Sequence, residues 1–208
     1  MATLEVDEVM AEDGGRGPWF QSYTGKAIHV LDPREEDIDI VDIAHSLSLV
    51  NRFGGHTACC DEAGRPCGYN VGQHSYMVGM IVERTHPELS LAGHLHDSSE
   101  AYLGDVIRPL KLVLPGYKEI EKKWERIIGR RFGLGDLLTE MPDVIKRADN
   151  VMLATERRDL LSDGPGHRRW TLHETPLPEK LVPWSAQESE VRFLERFKQL
   201  WGQAHRKW

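Results

Sequence analysis

Apolar residues recur along most of the chain at intervals of three and four, the spacing that lines one face of an α-helix. Ile40, Ile43, Ala44, Leu47 and Val50 form the first such stripe. Ahead of it, Asp32-Pro33-Arg34-Glu35 supplies an N-cap, a first-turn proline and an acidic third residue, so a helix with one buried face is predicted. After a loop over residues 54–72, Met77, Met80 and Ile81 continue at helical spacing, and Leu91, Leu95 and Tyr102 do so in the next segment, which Gly104 ends. A third pattern, Tyr117, Ile120, Trp124, Ile127 and Arg131, stops at Gly133, and a fourth carries Ile145, Ala148, Met152 and Thr155. Ser185-Ala186-Gln187-Glu188 reads as a capping box that opens a last helix bearing Val191, Leu194, Phe197 and Trp201.

Two stretches break the helical rhythm. Residues 20–30 place β-type residues on either side of Thr24-Gly25, which predicts a short hairpin or irregular cap. Residues 164–183 are rich in proline, glycine and basic residues and predict a loop or lid. The expected architecture is all-α, a single helical bundle with a short N-terminal β-hairpin. Residues 1–18 are expected to be a flexible acidic leader, and residues 19–208 the folded domain.

Composition narrows the class. At 208 residues, 40% hydrophobic and 28% charged, the chain can bury one sizeable core. Its net charge of −7 argues against a duplex nucleic-acid surface and leaves room for a small phosphorylated ligand in a local basic pocket. The cysteines, Cys59, Cys60 and Cys67, are odd in number and crowded, which fits a reducing cytoplasm better than a disulfide framework; Cys60 and Cys67 are read as a surface loop. No apolar run is long enough to predict a membrane span.

The chemistry concentrates on a few positions. His96-Asp97, with Glu100 one turn on, groups an imidazole and two carboxylates at one end of an apolar helix. Asp149 shares a helical face with Ile145 and Met152, and His74 precedes the apolar face of its own helix. Two histidines and two aspartates make a mixed nitrogen and oxygen donor set for a divalent metal. Taken singly, each has a plainer role: an inward histidine hydrogen-bonded in the core, or Asp149 paired with Arg147 or Arg157.

His74, His96-Asp97 and Asp149 in this order resemble the signature of the HD-domain phosphohydrolase superfamily. The string Ala92-Gly93-His94-Leu95-His96-Asp97-Ser98-Ser99-Glu100-Ala101-Tyr102-Leu103-Gly104-Asp105, followed by Arg108-Pro109-Leu110-Lys111, is similar to its nucleotidase-like branch. Tyr23-Thr24-Gly25, Asp42-Ile43-Ala44-His45 and Gln73-His74-Ser75 extend the likeness from Trp19 to Phe197. Within that branch the chain looks most like phage dATP triphosphohydrolases, relatives of the bacterial 5′-deoxynucleotidases.

The resemblance implies a Co, Zn, Mn, Ni or Fe ion on His74, His96, Asp97 and Asp149, with room for a second ion such as Mg. It implies that Glu100 handles the attacking water, with Asp105 as a second acidic site residue. Arg52 and Lys111 match phosphate-binding positions, Phe53 packs against the deoxyribose, and Pro109 lies in a segment lining the base pocket. Gly55 stands where dATP-specific relatives carry a bulkier side chain, so dGTP is expected as a second substrate. His45, His56 and His94 are read as packing or supporting residues. The expected activity is hydrolysis of dATP to deoxyadenosine and triphosphate by a cytoplasmic homo-oligomer, in the host cytoplasm where such a protein is phage-encoded. A 5′-deoxynucleotidase acting on monophosphates is the alternative, and a nucleotide-sensing protein without turnover is another. A cyclic-dinucleotide phosphodiesterase would need a glycine-rich extension after the His-Asp pair that this chain lacks.

Overall fold

The computed structural model describes residues 15–59, 64–166 and 168–204. Most of the predicted leader, and Cys60, lie outside the described residues. Strands β1 (Trp19–Gln21) and β2 (Ala27–His29) pair antiparallel in the register Trp19 to His29, Phe20 to Ile28 and Gln21 to Ala27. The hairpin buries Ile28 completely and is tied down at its tip, where the Thr24 amide and hydroxyl donate to the two Asp42 carboxylate oxygens at 2.7 and 2.9 Å. The Thr-Gly and Asp-Ile-Ala-His motifs thus meet each other in space.

Eight α-helices follow among the described residues: α1 (Ile40–Leu49), α2 (Val71–Glu83), α3 (Ser90–His94), α4 (Glu100–Leu103), α5 (Arg108–Lys111), α6 (Tyr117–Arg131), α7 (Asp143–Leu160) and α8 (Ala186–Ala204). The all-helical expectation with an N-terminal hairpin is met. None of the helices is long and apolar enough to cross a membrane.

Helix α1 buries Ile43, Ala44 and Leu47 as expected, but its cap is Asp39, whose carboxylate accepts the Val41 amide at 3.0 Å. Asp32 does not cap it, because residues Glu35–Asp37 close a separate 3-10 turn and Ile38 is extended; Asp32 binds Arg16 at 2.9 Å instead. Helix α2 is the central element and packs against α1, α3, α7 and α8. Asn70 caps it by accepting the Gln73 amide at 2.9 Å. Its buried face is Val71, His74, Ser75, Val78 and Val82, whereas Met77, Met80 and Ile81 lie half-buried on the flank. Glycines let α2 and α3 approach: a Cβ on Gly79 would sit 3.1 Å from the His94 Cβ, and one on Gly93 would sit 3.0 Å from Val82.

The largest departure from expectation is at residues 95–99. One helix was predicted through His96 to Tyr102, yet the chain breaks into α3 and α4, joined by i to i+3 bonds such as Ser98 N–H to the Leu95 carbonyl and Glu100 N–H to the Asp97 carbonyl, both 3.0 Å. Neighbouring side chains on a regular helix diverge, and this tight turn instead brings His96 and Asp97 to one place. Gly104 ends α4 at φ 76. In α8, Ser185 caps through its hydroxyl, but the buried stripe is Ser189, Phe193, Phe197 and Leu200; Val191 faces solvent. Residues 164–183 form no regular element among those described. Their later part is pinned to α7, with the Leu177 amide on Thr155 at 2.9 Å and the Leu181 amide on Asp159 at 2.7 Å.

Candidate metal centre

His74 reaches the centre from α2, His96 and Asp97 from the α3–α4 turn, and Asp149 from α7. His74 Nε2 lies 3.3 Å from His96 Nε2, 3.2 Å from Asp149 Oδ1 and 3.4 Å from Asp97 Oδ2; His96 Nε2 lies 3.2 Å from Asp97 Oδ2. Donors each about 2.1 Å from one ion sit about 3.0 Å apart at a right angle and about 3.4 Å apart at the tetrahedral angle. The observed separations fall in that interval. The ligand atoms of His74, His96 and Asp149 all lie within 4.8 Å of one another, so these three can hold a metal ion. The imidazoles are buried, while the Asp97 and Asp149 side chains are 21% and 39% exposed, which leaves the carboxylate side open to solvent.

Protons settle what the distances mean. The outer nitrogen of His96, Nδ1, faces the Gly93 carbonyl at 2.9 Å, an acceptor only, so Nδ1 carries the hydrogen. The outer nitrogen of His74 faces the Glu156 carboxylate at 2.6 Å and donates to it likewise. Both inner nitrogens of neutral rings therefore aim lone pairs at each other and at two carboxylates. Such a set is repulsive until a cation enters it. Burial and Arg52 oppose charge on His74, but Glu156 and Asp149 prevail and raise its pKa to about 9, in keeping with a place that favours positive charge. Burial works against ionised Asp97, yet His96, His74 and Arg52 hold its carboxyl far below the usual range.

The remaining expected residues divide. Arg52 Nη1 lies 3.4 Å from Asp97 and is next to the centre. Glu100 is buried, and burial together with Asp97 and Asp105 raises its carboxyl well above the ordinary range. One of its oxygens meets Lys111 Nζ at 3.4 Å; the other has no hydrogen-bond partner among the described residues. Lys111 is also bound to Glu121 at 2.7 Å. Asp105 is half-buried and raised by burial and by Asp97, with Arg52 opposing. Phe53 follows Arg52 in a turn at φ 58, and the Arg52 guanidinium stands 5.6 Å from its ring centre. Gly55 has φ 78 and open space around it, and Pro109 lies on the exposed surface of α5. Nothing in the geometry brings Pro109 to the cluster.

The plainer role for Asp149 is not realised, since Arg147 pairs with Glu174 at 3.5 Å and Arg157 with Asp163. The extra histidines also find other work. His45 stacks on Tyr23 and bonds Glu190 at 3.2 Å, and His56 is exposed. His94 packs on Phe193, bonds its carbonyl at 3.1 Å, and is driven by burial to a pKa of about 3.

Two residues escaped the sequence reading. Glu156 is fully buried and touches both His74 and Arg52; its position, with Asp149 and Met152 at i, i+3 and i+7 along α7, was the available signal. Trp170, about a third of the way along the irregular 164–183 segment, meets the Phe53 ring edge-on at 6.3 Å, and no periodicity marks it.

No family model matches the chain. It is 35% identical over 186 residues to the uncharacterized protein YfdR of Escherichia coli, covering 88% of this chain and 95% of that one. It is also 35% identical over 148 residues to the uncharacterized protein RCAP_rcc00048 of Rhodobacter capsulatus, covering 68% and 72% of the two chains. Identity sustained over nearly the whole of both sequences shows that the chain belongs to the same family as Escherichia coli YfdR.

Proposed function

We propose that the chain is a metal-dependent phosphohydrolase of deoxynucleotides, built on an HD-type donor set. The observation that carries this reading is the pair of buried imidazoles, each fixed at its outer nitrogen, facing two carboxylates at metal-bridging distances. His74, His96, Asp97 and Asp149 would hold the ion, whose chemistry is to polarise a phosphoryl oxygen and make water a stronger acid. Glu100, buried beside Asp97 with one free oxygen, positions the attacking water and accepts its proton. Arg52 offsets charge on the phosphoryl group from beside Asp97, and Lys111 does so from beside Glu100.

In the reaction expected from the resemblance, water oxygen joins the α-phosphorus of dATP, the bond from phosphorus to the 5′-oxygen breaks, and that oxygen takes up a proton. Deoxyadenosine and triphosphate leave. A 5′-deoxynucleotidase breaks the same bond and differs only in the length of the anionic tail. One observation favours this second reading: the cations bonded to the site carboxylates among the described residues are Arg52 and Lys111, and each is already shared between two carboxylates. A monophosphate asks less of them than a triphosphate does.

Turnover of the metal-loaded protein on a panel of dNTPs, NTPs and dNMPs, with the inorganic product identified, tests both. Triphosphate released from a dNTP supports the first reading and orthophosphate from a dNMP the second. No turnover of any member with metal bound would remove the enzymatic reading.

A further inference from the structure

Glu156 is fully buried, belongs to neither the sequence signature nor the donor set, and divides its two oxygens between two parts of the site. Oε1 accepts a hydrogen bond from His74 Nδ1 at 2.6 Å, and Oε2 accepts one from Arg52 Nε at 3.2 Å. We infer that Glu156 is a positioning residue that sets the donor strength of His74 and the direction of Arg52, and so joins the metal centre to the phosphate-binding cation. The inference rests on the metal reading above.

The first half of the role follows from an asymmetry between the histidines. His96 is steadied by a neutral carbonyl, His74 by a carboxylate. An anionic acceptor on the outer nitrogen pushes electron density toward the inner one and fixes the tautomer that presents its lone pair to a metal. His74 is therefore the stronger of the two donors. A buried carboxylate is expensive unless it is paired, and here Arg52 at 3.2 Å and His74 at 2.6 Å pair with it.

The second half follows from the guanidinium's shape. Arg52 is gripped at Nε, the inner corner of its fork, which turns the Nη1 atom toward Asp97 at 3.4 Å. A glutamine held in the same place presents its oxygen to one partner and its NH2 group to the other, so in that geometry one of the two donors loses its acceptor.

Metal affinity, read by competition of Co2+ or Zn2+ against a chelator, tests the role without any turnover. Glu156→Gln should weaken binding by about 10- to 100-fold, the usual effect of losing a partner behind a metal-binding histidine. Glu156 also neutralises a buried arginine, so the decisive comparison is Arg52→Gln against Arg52→Gln/Glu156→Gln, where no guanidinium needs neutralising. A similar loss in that background supports the inference. Equal affinities there would overturn it and leave Glu156 as a mere counter-charge.

The unaltered chain gives a second measurement. With metal bound, the His74 Nδ1 proton should appear strongly downfield in the NMR spectrum of histidine-labelled protein, as befits a short bond to a carboxylate; a proton on Nε2 or no such resonance would overturn the inference even if the variants do not fold. A wild-type chain that binds neither ion removes the metal reading together with this one. A wild-type chain that binds, with no loss in the doubly altered one, removes this one alone.

Discussion

The candidate metal centre and the Phe53 turn beside it are one arginine apart and are built by different means. His74 and Asp149 stand on helices of 13 and 18 residues, both imidazoles are buried, and each is held at its outer nitrogen by a fixed acceptor. The turn is irregular backbone: Phe53, Gly54 and Gly55 run at φ 58, 60 and 78, and its ring neighbour Trp170 sits on a segment without regular structure. A left-handed residue with a side chain costs roughly 1–2 kcal/mol, so the turn holds Phe53 in place against its own preference. Two long helices and one tight turn of i to i+3 bonds converge on the donors, which the geometry of an ion requires. Strained turns and loops place aromatic surface, which selection among substrates requires and which tolerates change.

If that contrast is right, the largest effect comes from the rigid half. Asp97→Ala should abolish turnover and lower bound metal, because it removes an oxygen within 3.4 Å of both inner imidazole nitrogens. His74→Ala, His96→Ala and Asp149→Ala should follow it, while Cys67→Ser should leave both properties unchanged. Metal content by elemental analysis decides the matter, and full occupancy with full turnover in Asp97→Ala would end the assignment.

How much of this contrast the sequence showed is itself uneven. The helix-borne ligands were legible because His74 and Asp149 fall at helical spacing with the buried residues of their helices, and even Glu156 obeys it. The turn at residues 95–99 was not, because Leu91, Leu95 and Tyr102 continue a helical period straight through a break that i to i+3 bonds accommodate without Gly or Pro. The cap of α1 was misplaced by seven residues, since Asp32-Pro33 is as good a helix start locally as Asp39 and only the intervening 3-10 turn separates them. Trp170 lies where neighbours are set by loop path alone, which no periodicity encodes.

The next effect sharpens the boundary between the two regions. Glu100 is buried like a ligand yet lies outside the donor set, so Glu100→Ala should cut the turnover number by roughly 10² while metal stays bound. Calorimetric melting and metal analysis on the same sample separate the outcomes. A collapsed melting temperature with turnover nearly intact would make Glu100 a structural residue and extend the rigid region past the chemistry.

The smallest effects belong to the Phe53 turn, and the strain at Phe53 allows them to be separated. Phe53→Ala removes the ring but keeps a side chain at φ 58, whereas Phe53→Gly removes both the ring and the strain. If the ring faces the deoxyribose, both variants should raise KM several-fold with the turnover number nearly kept, and both should narrow the gap between dATP and ATP. That gap is itself expected to be no more than about 10²-fold, because an apolar wall rejects an added hydroxyl weakly. Trp170→Ala should raise KM in the same sense, since it removes the edge-on neighbour at 6.3 Å. At Gly55 a branched residue such as isoleucine would be strained at φ 78 whatever the substrate, so Gly55→Asn, which tolerates that backbone, is the fair test of base selection. A loss of dGTP relative to dATP activity in Gly55→Asn would place position 55 against the base. Equal losses for both substrates, or a fall in turnover number rather than a rise in KM for Phe53→Gly, would mean that the Phe53 turn shapes the chemistry after all and that the contrast between the two regions does not hold.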